Sequence, residues 1–372
     1  MLDSHQKFHI AYLCSSLGWG GLEMNHLRNA LWMSERGHDV SIICTKHSPL
    51  HEALKKTDLR VIAIRKPSKH YAFFSAFQLR KKLSALKVTD LMIRSSFDMS
   101  IAASISFFSG RKIRSHFFME MMFQSNKQQF FRTIRYSFLD SWVCSLEYMK
   151  ELVSSATRID AKKLQVIPSG LDFRKVALMP KELAREQLGF LENHILFGMI
   201  GRIDRKKRLD LAISALKMCQ NPHFQLFFIG AVTPDTRDSY LAELQQSINE
   251  FGLEKQVHFL GFQENTSVYY RAMDAVIMAS DFETFGMGTI EAMAQKTPVI
   301  ATNAGGSKEL LTRFPFGKLI SPHSKEELAQ AMVNIPKSEY PEFDFDVFQA
   351  HFNHENICEK VERNILSKER TR

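Results

Sequence analysis

AVIMASDFETFGMGTIEAMAQKTPVIAT, residues 275–302, decides how this chain is read. AVIMAS and PVIAT are short continuous apolar runs, the mark of strands buried on both faces, and GMGTIEAMA between them reads as a helix. Strand, helix and strand in so short a segment predict the crossover unit of a parallel sheet.

The same rhythm runs outward in both directions. Toward the N-terminus, strand candidates are FHIAYLCSS (8–16), HDVSIIC (38–44), VIAI (61–64), LMIRSS (91–96), KIRSHFF (112–118) and WVCSL (142–146). LQVIPSGLD (164–172) breaks the rhythm with Pro168 and Gly170, and a polar stretch to about residue 192 reads as a linker. Strands resume at HILFGMIGR (194–202), FQLFFIGA (224–231), VHFLG (257–261) and, beyond the opening segment, GKLI (317–320). The expectation is an α/β chain of two Rossmann-like, doubly wound domains, residues 1–172 and 173–345. A terminal helix, 346–372, follows. Ligands of such sheets bind beyond the carboxyl ends of the strands.

A chain of 372 residues, 45% hydrophobic, suits two ordinary cores. Its five cysteines are scattered with no C-x-x-C pair, which predicts a reduced protein without a zinc knuckle. The start, MLDSHQKFHIAYLCSS, lacks the pattern of a secretory signal, and no apolar run approaches the ~18 residues of a membrane span. The expected location is cytoplasmic. Charge is uneven: residues 1–172 hold 25 Lys+Arg against 14 Asp+Glu, the remainder 24 against 26. A basic front half favours an anionic partner.

The chemistry concentrates after AVIMAS. A helix starting near Phe285 or Gly286 leaves the N–H groups of Gly286, Met287 and Gly288 without helical acceptors, with partial positive charge. A phosphate suits that end, and Gly286 and Gly288 let it come close. Glu283 before the helix and Glu291 one turn into it repel phosphate but accept from sugar hydroxyls. GRIDRKKRLDL (201–211) supplies cations: Arg202 as a forked donor and Lys207 as a point charge on a diphosphate.

With these residues assembled, VHFLGFQENTSVYYRAMDAVIMASDFETFGMGTIEAMAQKTPVIATNAGGSKELL resembles the signature half of the family-four retaining glycosyltransferases of the GT-B fold (glycosyl transferases group 1). The E-x-seven-E motif falls on Glu283 and Glu291, the Arg–Lys pair on Arg202 and Lys207, the interdomain segment on IPSGLD and the first glycine loop on GGLE. The resemblance is strong over 194–312 and weak over 50–160. It implies two domains facing across a cleft and transfer of a sugar from a nucleotide donor, UDP- or GDP-linked, with retention and without a metal. By it, Glu291 holds the ribose, Glu283 the donor sugar, and Arg202, Lys207 and the amides after Phe285 the diphosphate. The backbone at Phe262 faces the base, Gly20 and Gly21 approach the donor from the first domain, and His116 lies close to the transferring sugar, with Glu120 a weaker candidate. The terminal helix is expected to pack back on the first domain. Where the family has glycine after the lysine this chain has Arg208, expected to point to solvent.

The acceptor implied is a glycan or lipid-linked hydroxyl of bacterial surface polysaccharide or lipopolysaccharide synthesis. Two basic-aromatic stretches, 65–82 and 111–138, predict contact with an anionic membrane surface, the alternative being that their phenylalanines are core. No nucleic-acid motif is present. Asp344–Phe345–Asp346 has the form of a metal-binding D-x-D but lies far from the diphosphate residues, and His351 with His354 lacks a third ligand. Competing readings are a sugar-nucleotide or anionic-glycan binding protein without transfer, and a sugar-nucleotide epimerase on a related fold.

Overall fold

The structure is a computed structural model describing residues 6–67, 73–122, 130–176, 179–190, 193–232 and 239–367. It divides into two units: Met1–Gly170 together with the chain from His354, and Leu171–Asn353.

The first unit opens with β1 (His9–Cys14), α1 (Gly21–Glu35), β2 (Asp39–Thr45), α2 (Pro49–Leu54) and β3 (Arg60–Ile64). It continues through α3 (Phe73–Ala85), β4 (Asp90–Ile93), α4 (Met99–Phe108), β5 (Arg114–Met119) and α5 (Phe130–Ser137). Then come β6 (Ser141–Cys144), α6 (Glu147–Ala156) and β7 (Leu164–Val166). These strands form one parallel sheet in the order β3-β2-β1-β4-β5-β6-β7. β7 is the strand missing from the sequence reading. It is only three residues long, too short to show a pattern, and gains its identity from pairing with β6.

The second unit holds α7 (Lys181–Leu188), β8 (Ile195–Ile200), α8 (Leu209–Cys219), β9 (Phe224–Ile229) and α9 (Tyr240–Phe251). After these come β10 (Val257–Gly261), α10 (Ser267–Ala272), β11 (Ala275–Met278), α11 (Met287–Ala294) and β12 (Val299–Thr302). It closes with α12 (Gly305–Arg313), β13 (Gly317–Ile320), α13 (Lys325–Asn334) and α14 (Phe345–Phe352). Its parallel sheet runs β10-β9-β8-β11-β12-β13. The supposed linker is in part α7, fixed by Asp274: Lys181 Nζ and Arg185 Nη2 each lie 2.5 Å from its carboxylate, which also accepts from the Leu196 amide at 2.7 Å. Gly189, left-handed at φ 68°, ends that helix.

Strand periodicity explains both cores. β1, β2, β4 and β6 are buried nearly throughout, and so are β9, β11 and β12, as expected of strands covered on both faces. The terminal segment is divided rather than a single helix. α14 stays with the second unit, while α15 (His354–Val361) and a π-helical turn, Glu362–Leu366, belong to the first. There Ile357, Cys358, Val361, Ile365 and Leu366 join the core of Phe8, Trp32 and Met33. Arg36 grips Glu362 with two nitrogens at 2.6 and 2.8 Å, and His38 Nε2 lies 2.8 Å from the same carboxylate. Burial alone would raise the Glu362 carboxyl, but these partners hold it down at about 2.

In each sheet the strand order reverses once, between β1 and β4 in the first and between β8 and β11 in the second. Those two carboxyl edges are where ligands are expected.

Candidate functional site

At the reversal point of the second sheet, the turns after β8 and β11 form one cavity lined by Gly201, Arg202, Lys207, Met278 and Ser280, among others. Gly201 and Gly230 let the turns after β8 and β9 touch: a Cβ on Gly230, at φ +155°, would stand 1.9 Å from the Gly201 carbonyl oxygen. Arg202 extends outward with 69% of its side chain exposed and Asp204 3.7 Å away. Lys207 closes a 3-10 turn and directs Nζ to Glu283 Oε1 at 2.6 Å. Ser280 Oγ donates to the same oxygen at 2.7 Å. The cation and acid assigned separately to phosphate and sugar are therefore paired with each other.

α11 begins where the sequence placed it, with Gly286 as its cap at φ 89°, ψ 52°. The amides of Thr289 and Ile290 both reach the Gly286 carbonyl, so those of Met287 and Gly288 precede the first intrahelical bond. The two glycines have different causes. Gly286 needs its left-handed backbone. A Cβ on Gly288 would meet Met278 Sδ at 3.2 Å and the Tyr270 hydroxyl at 3.3 Å, so its missing side chain makes room for protein. Phe285 is likewise a core residue, buried and 6.3 Å from the Phe352 ring, and only its backbone belongs to the loop.

Glu291 stands on α11 with its Oε2 3.0 Å from the Tyr270 hydroxyl. Burial first, and then the Glu291 and Glu283 charges, raise the Tyr270 phenol well above its ordinary range, so it is a fixed neutral donor. Sequence reasoning missed this residue, since nothing in VYYRA marks one tyrosine as the acid's holder. It also missed Gly305 and Gly306. A Cβ on Gly305 would lie 2.4 Å from the Glu283 carbonyl oxygen, and one on Gly306 2.4 Å from that of Phe285. The Gly306 amide donates to the Glu283 carbonyl at 2.7 Å. The start of α12 is thus the floor on which the acid loop rests.

Arg208 does not point to solvent. It donates to Asp210 and, at 3.0 Å, to Asp281, and it touches His323 Nδ1. Its backbone is left-handed at φ 54°, ψ 48°, the conformation glycine adopts most readily. Phe262 is 72% exposed just past β10, on the same edge of the sheet but outside the cavity lining. Asp344 is a helix cap, accepting from the Asp346 and Val347 amides, which accounts for the D-x-D.

In the first unit, Gly20 caps α1 in extended backbone and Gly21 has nothing within 4 Å of a Cβ position. His116 is misplaced by the sequence reading. It is the third residue of β5, paired with Ser141 at the start of β6, and so lies toward the amino ends of the strands. Its ring is 2% exposed, with Nε2 2.9 Å from Asp90 Oδ1 and Nδ1 2.8 Å from Ser141 Oγ. Arg114 Nη2 also reaches Asp90, at 2.7 Å, and donates to the Leu366 carbonyl at 2.6 Å. Burial alone would raise the Asp90 carboxyl, but His116 and Arg114 hold it below its usual range. This histidine anchors a structural network and is corrected from the catalytic set. The side chain that does reach the carboxyl edge after β5 is Glu120, buried against Arg94 from the turn after β4. Beside them Asp98 accepts from the Ser15 amide and hydroxyl, at 3.2 and 2.5 Å, and burial pushes its carboxyl up to about 6.

Residues 180–342 match the family model described as glycosyl transferases group 1. Mannosylfructose-phosphate synthase of Agrobacterium fabrum is 30% identical over 187 residues, a match spanning 48% of this chain and 41% of that protein. The chain thus covers about two-fifths of the length of that relative. A wider match, 23% identical over 359 residues and 90% of this chain and 89% of the other, is to the UDP-Gal:alpha-D-GlcNAc-diphosphoundecaprenol alpha-1,3-galactosyltransferase of Escherichia coli. Among solved structures, Anabaena Alr3699/HepE in complex with UDP superposes with a TM-score of 0.82 at 20% identity, covering 97% of this chain and 100% of that one. The segment 180–342 is thus similar to the group 1 glycosyltransferases, and two parallel-sheet units with these structural neighbours show the GT-B fold.

Proposed function

We propose that this protein moves a sugar from a nucleoside-diphosphate donor, with uridine the favoured base, to a hydroxyl of a lipid-linked glycan. The observation that carries the proposal is the grouping of Arg202, Lys207, Glu283 and the first amides of α11 at the reversal point of one sheet. Breaking the anomeric bond builds negative charge on the leaving phosphate oxygen. Preorganised cations and amides lower that barrier. Arg202 has free reach into solvent, and Lys207, held by Glu283, is positioned before substrate arrives. These positive groups neutralise the diphosphate without calling on a divalent metal, so chelation with EDTA is expected to leave turnover unchanged.

Glu291, oriented by Tyr270, takes the ribose hydroxyls, and Glu283 takes hydroxyls of the donor sugar while keeping Lys207 in place. Transfer proceeds with retention: the leaving phosphate accepts the proton of the incoming hydroxyl on the same face. Uridine is favoured because structural neighbours are complexes with UDP, and the lipid-linked acceptor because the galactosyltransferase relative is named for one. Synthesis of surface polysaccharide at the inner face of the cytoplasmic membrane fits both. The test is thermal stabilisation by a panel of nucleotides, followed by turnover of the stabilising donor in wild type and Glu291→Ala. A shift with UDP that Glu291→Ala abolishes is expected. No shift with any nucleotide, or full turnover in the variant, would end the assignment.

A further inference from the structure

The first unit carries a surface that the transfer reading leaves unused. α3 exposes Phe73 at 55%, Phe74 at 73% and Phe77 at 40%, and the last turn of α4 exposes Phe107 at 61%. Phe73, Phe77 and Phe107 adjoin through Phe108, whose ring centre lies 6.4 Å from Phe73, 5.9 Å from Phe77 and 5.5 Å from Phe107. Phe107 in turn meets Phe138 edge-on at 5.7 Å. Three exposed aromatics gathered on one further ring, with Phe74 next to Phe73 in the chain, are more than scattered surface apolar residues. By contrast Phe117 and Phe118, from the second basic-aromatic stretch, are core at 3% and 9%. Residues 68–72 and 123–129 of the two stretches lie outside the described residues.

Basic side chains lie on the rings of this face. Lys81 sits over the Phe77 ring at 4.9 Å and Arg111 over Phe138 at 5.2 Å. Lys82 and Lys112 are exposed beside them. From Arg65 to Ser115 the sequence holds eleven Lys or Arg and only two acids, Asp90 and Asp98. Both acids are fully buried. This stretch therefore shows water no negative charge at all.

We propose that the face built from α3 and the end of α4 seats the protein on an anionic phospholipid surface, with the phenylalanines entering the headgroup–acyl boundary and the lysines and arginines on phosphates. Apolar side chains alone would favour any bilayer or a protein partner, and cations alone would favour any polyanion. The two interleaved fit a charged bilayer. No membrane-crossing helix is needed for this, and among the described residues no helix is long and apolar enough to cross one. The inference does not rest on the transfer reading, because none of these residues belongs to the donor site.

The test uses the whole protein and flotation with phosphatidylcholine vesicles, with and without roughly 30 mol% phosphatidylglycerol. Binding is expected only with phosphatidylglycerol. Phe74→Ser together with Phe107→Ser should lower it by about tenfold or more, and so should Lys81→Glu with Arg111→Glu. Phe74→Ser alone, at the most exposed of the four, guards against a folding defect. Its thermal midpoint and nucleotide binding should match wild type while vesicle binding falls severalfold. Failure to float with phosphatidylglycerol, binding indifferent to the phenylalanines, or displacement of the vesicles by RNA would each overturn the proposal.

Discussion

Lys207 Nζ lies 2.6 Å from Glu283 Oε1, so the lysine and the first acid of the proposed donor site are already joined. On the proposed reading, a diphosphate arriving at Arg202 meets a lysine whose position is already set. Lys207→Ala removes the cation and leaves Glu283 Oε1 with the Ser280 hydroxyl but without this ammonium. A loss of turnover on the order of 10²–10³ is expected, larger than that of Glu283→Gln, as read from steady-state rates with the stabilising donor.

Tyr270 offers a cleaner separation of binding from chemistry. Tyr270→Phe keeps the ring in its pocket and deletes only the donor to Glu291. Donor KM should rise severalfold with kcat nearly unchanged, and stability should fall by about 1 kcal/mol.

Gly306→Ala tests the floor beneath the acid loop. Its new methyl group would clash with the Phe285 carbonyl and push the 283–285 segment off α12. The expected outcome is a folded protein with a lowered thermal midpoint, no longer stabilised by UDP. Scanning fluorimetry with and without nucleotide reads both effects.

His116 was expected near the transferring sugar, and the structure makes the opposite prediction. His116→Ala strips fully buried Asp90 of one of its three side-chain partners, leaving Arg114 and the Thr89 hydroxyl. Stability should drop by about 3 kcal/mol, while activity per folded molecule at low temperature persists. A variant of unchanged stability but abolished turnover would restore the catalytic reading.

Asp98 gives a pH signature. Its carboxyl is raised from 3.8 to about 6, so between those values the folded chain binds more protons than the unfolded one, and stability declines as pH rises through that window. Asp98→Asn should flatten this slope. Urea denaturation midpoints of both proteins at pH 4 and pH 7 decide it.

These contrasts show what the sequence could carry. Strand–helix alternation marked all but one of the strands because parallel strands are written as apolar runs, and the Glu283–Glu291 spacing around Gly286 marked the start of α11. Contacts that join distant positions were invisible. Gly305 and Gly306 look like an ordinary turn until the Glu283 and Phe285 carbonyls are seen above them. His116 failed for a related reason: KIRSHFF tells that a strand is present, not how far its histidine stands from the carboxyl end. β5 runs on to Met119, which moves His116 into the interior and leaves Glu120 at the edge.

The break at His354 bears on how the polypeptide matures. Everything up to Gly170 can leave the ribosome and still lack Ile357, Cys358, Val361, Ile365 and Leu366, which complete its hydrophobic interior, and Glu362, which Arg36 holds. The stretch from Leu171 to Asn353 has all its own parts sooner. Synthesis order and completion order are thereby inverted: the unit begun earlier is completed later, and it waits with an open seam until the segment from His354 has been made.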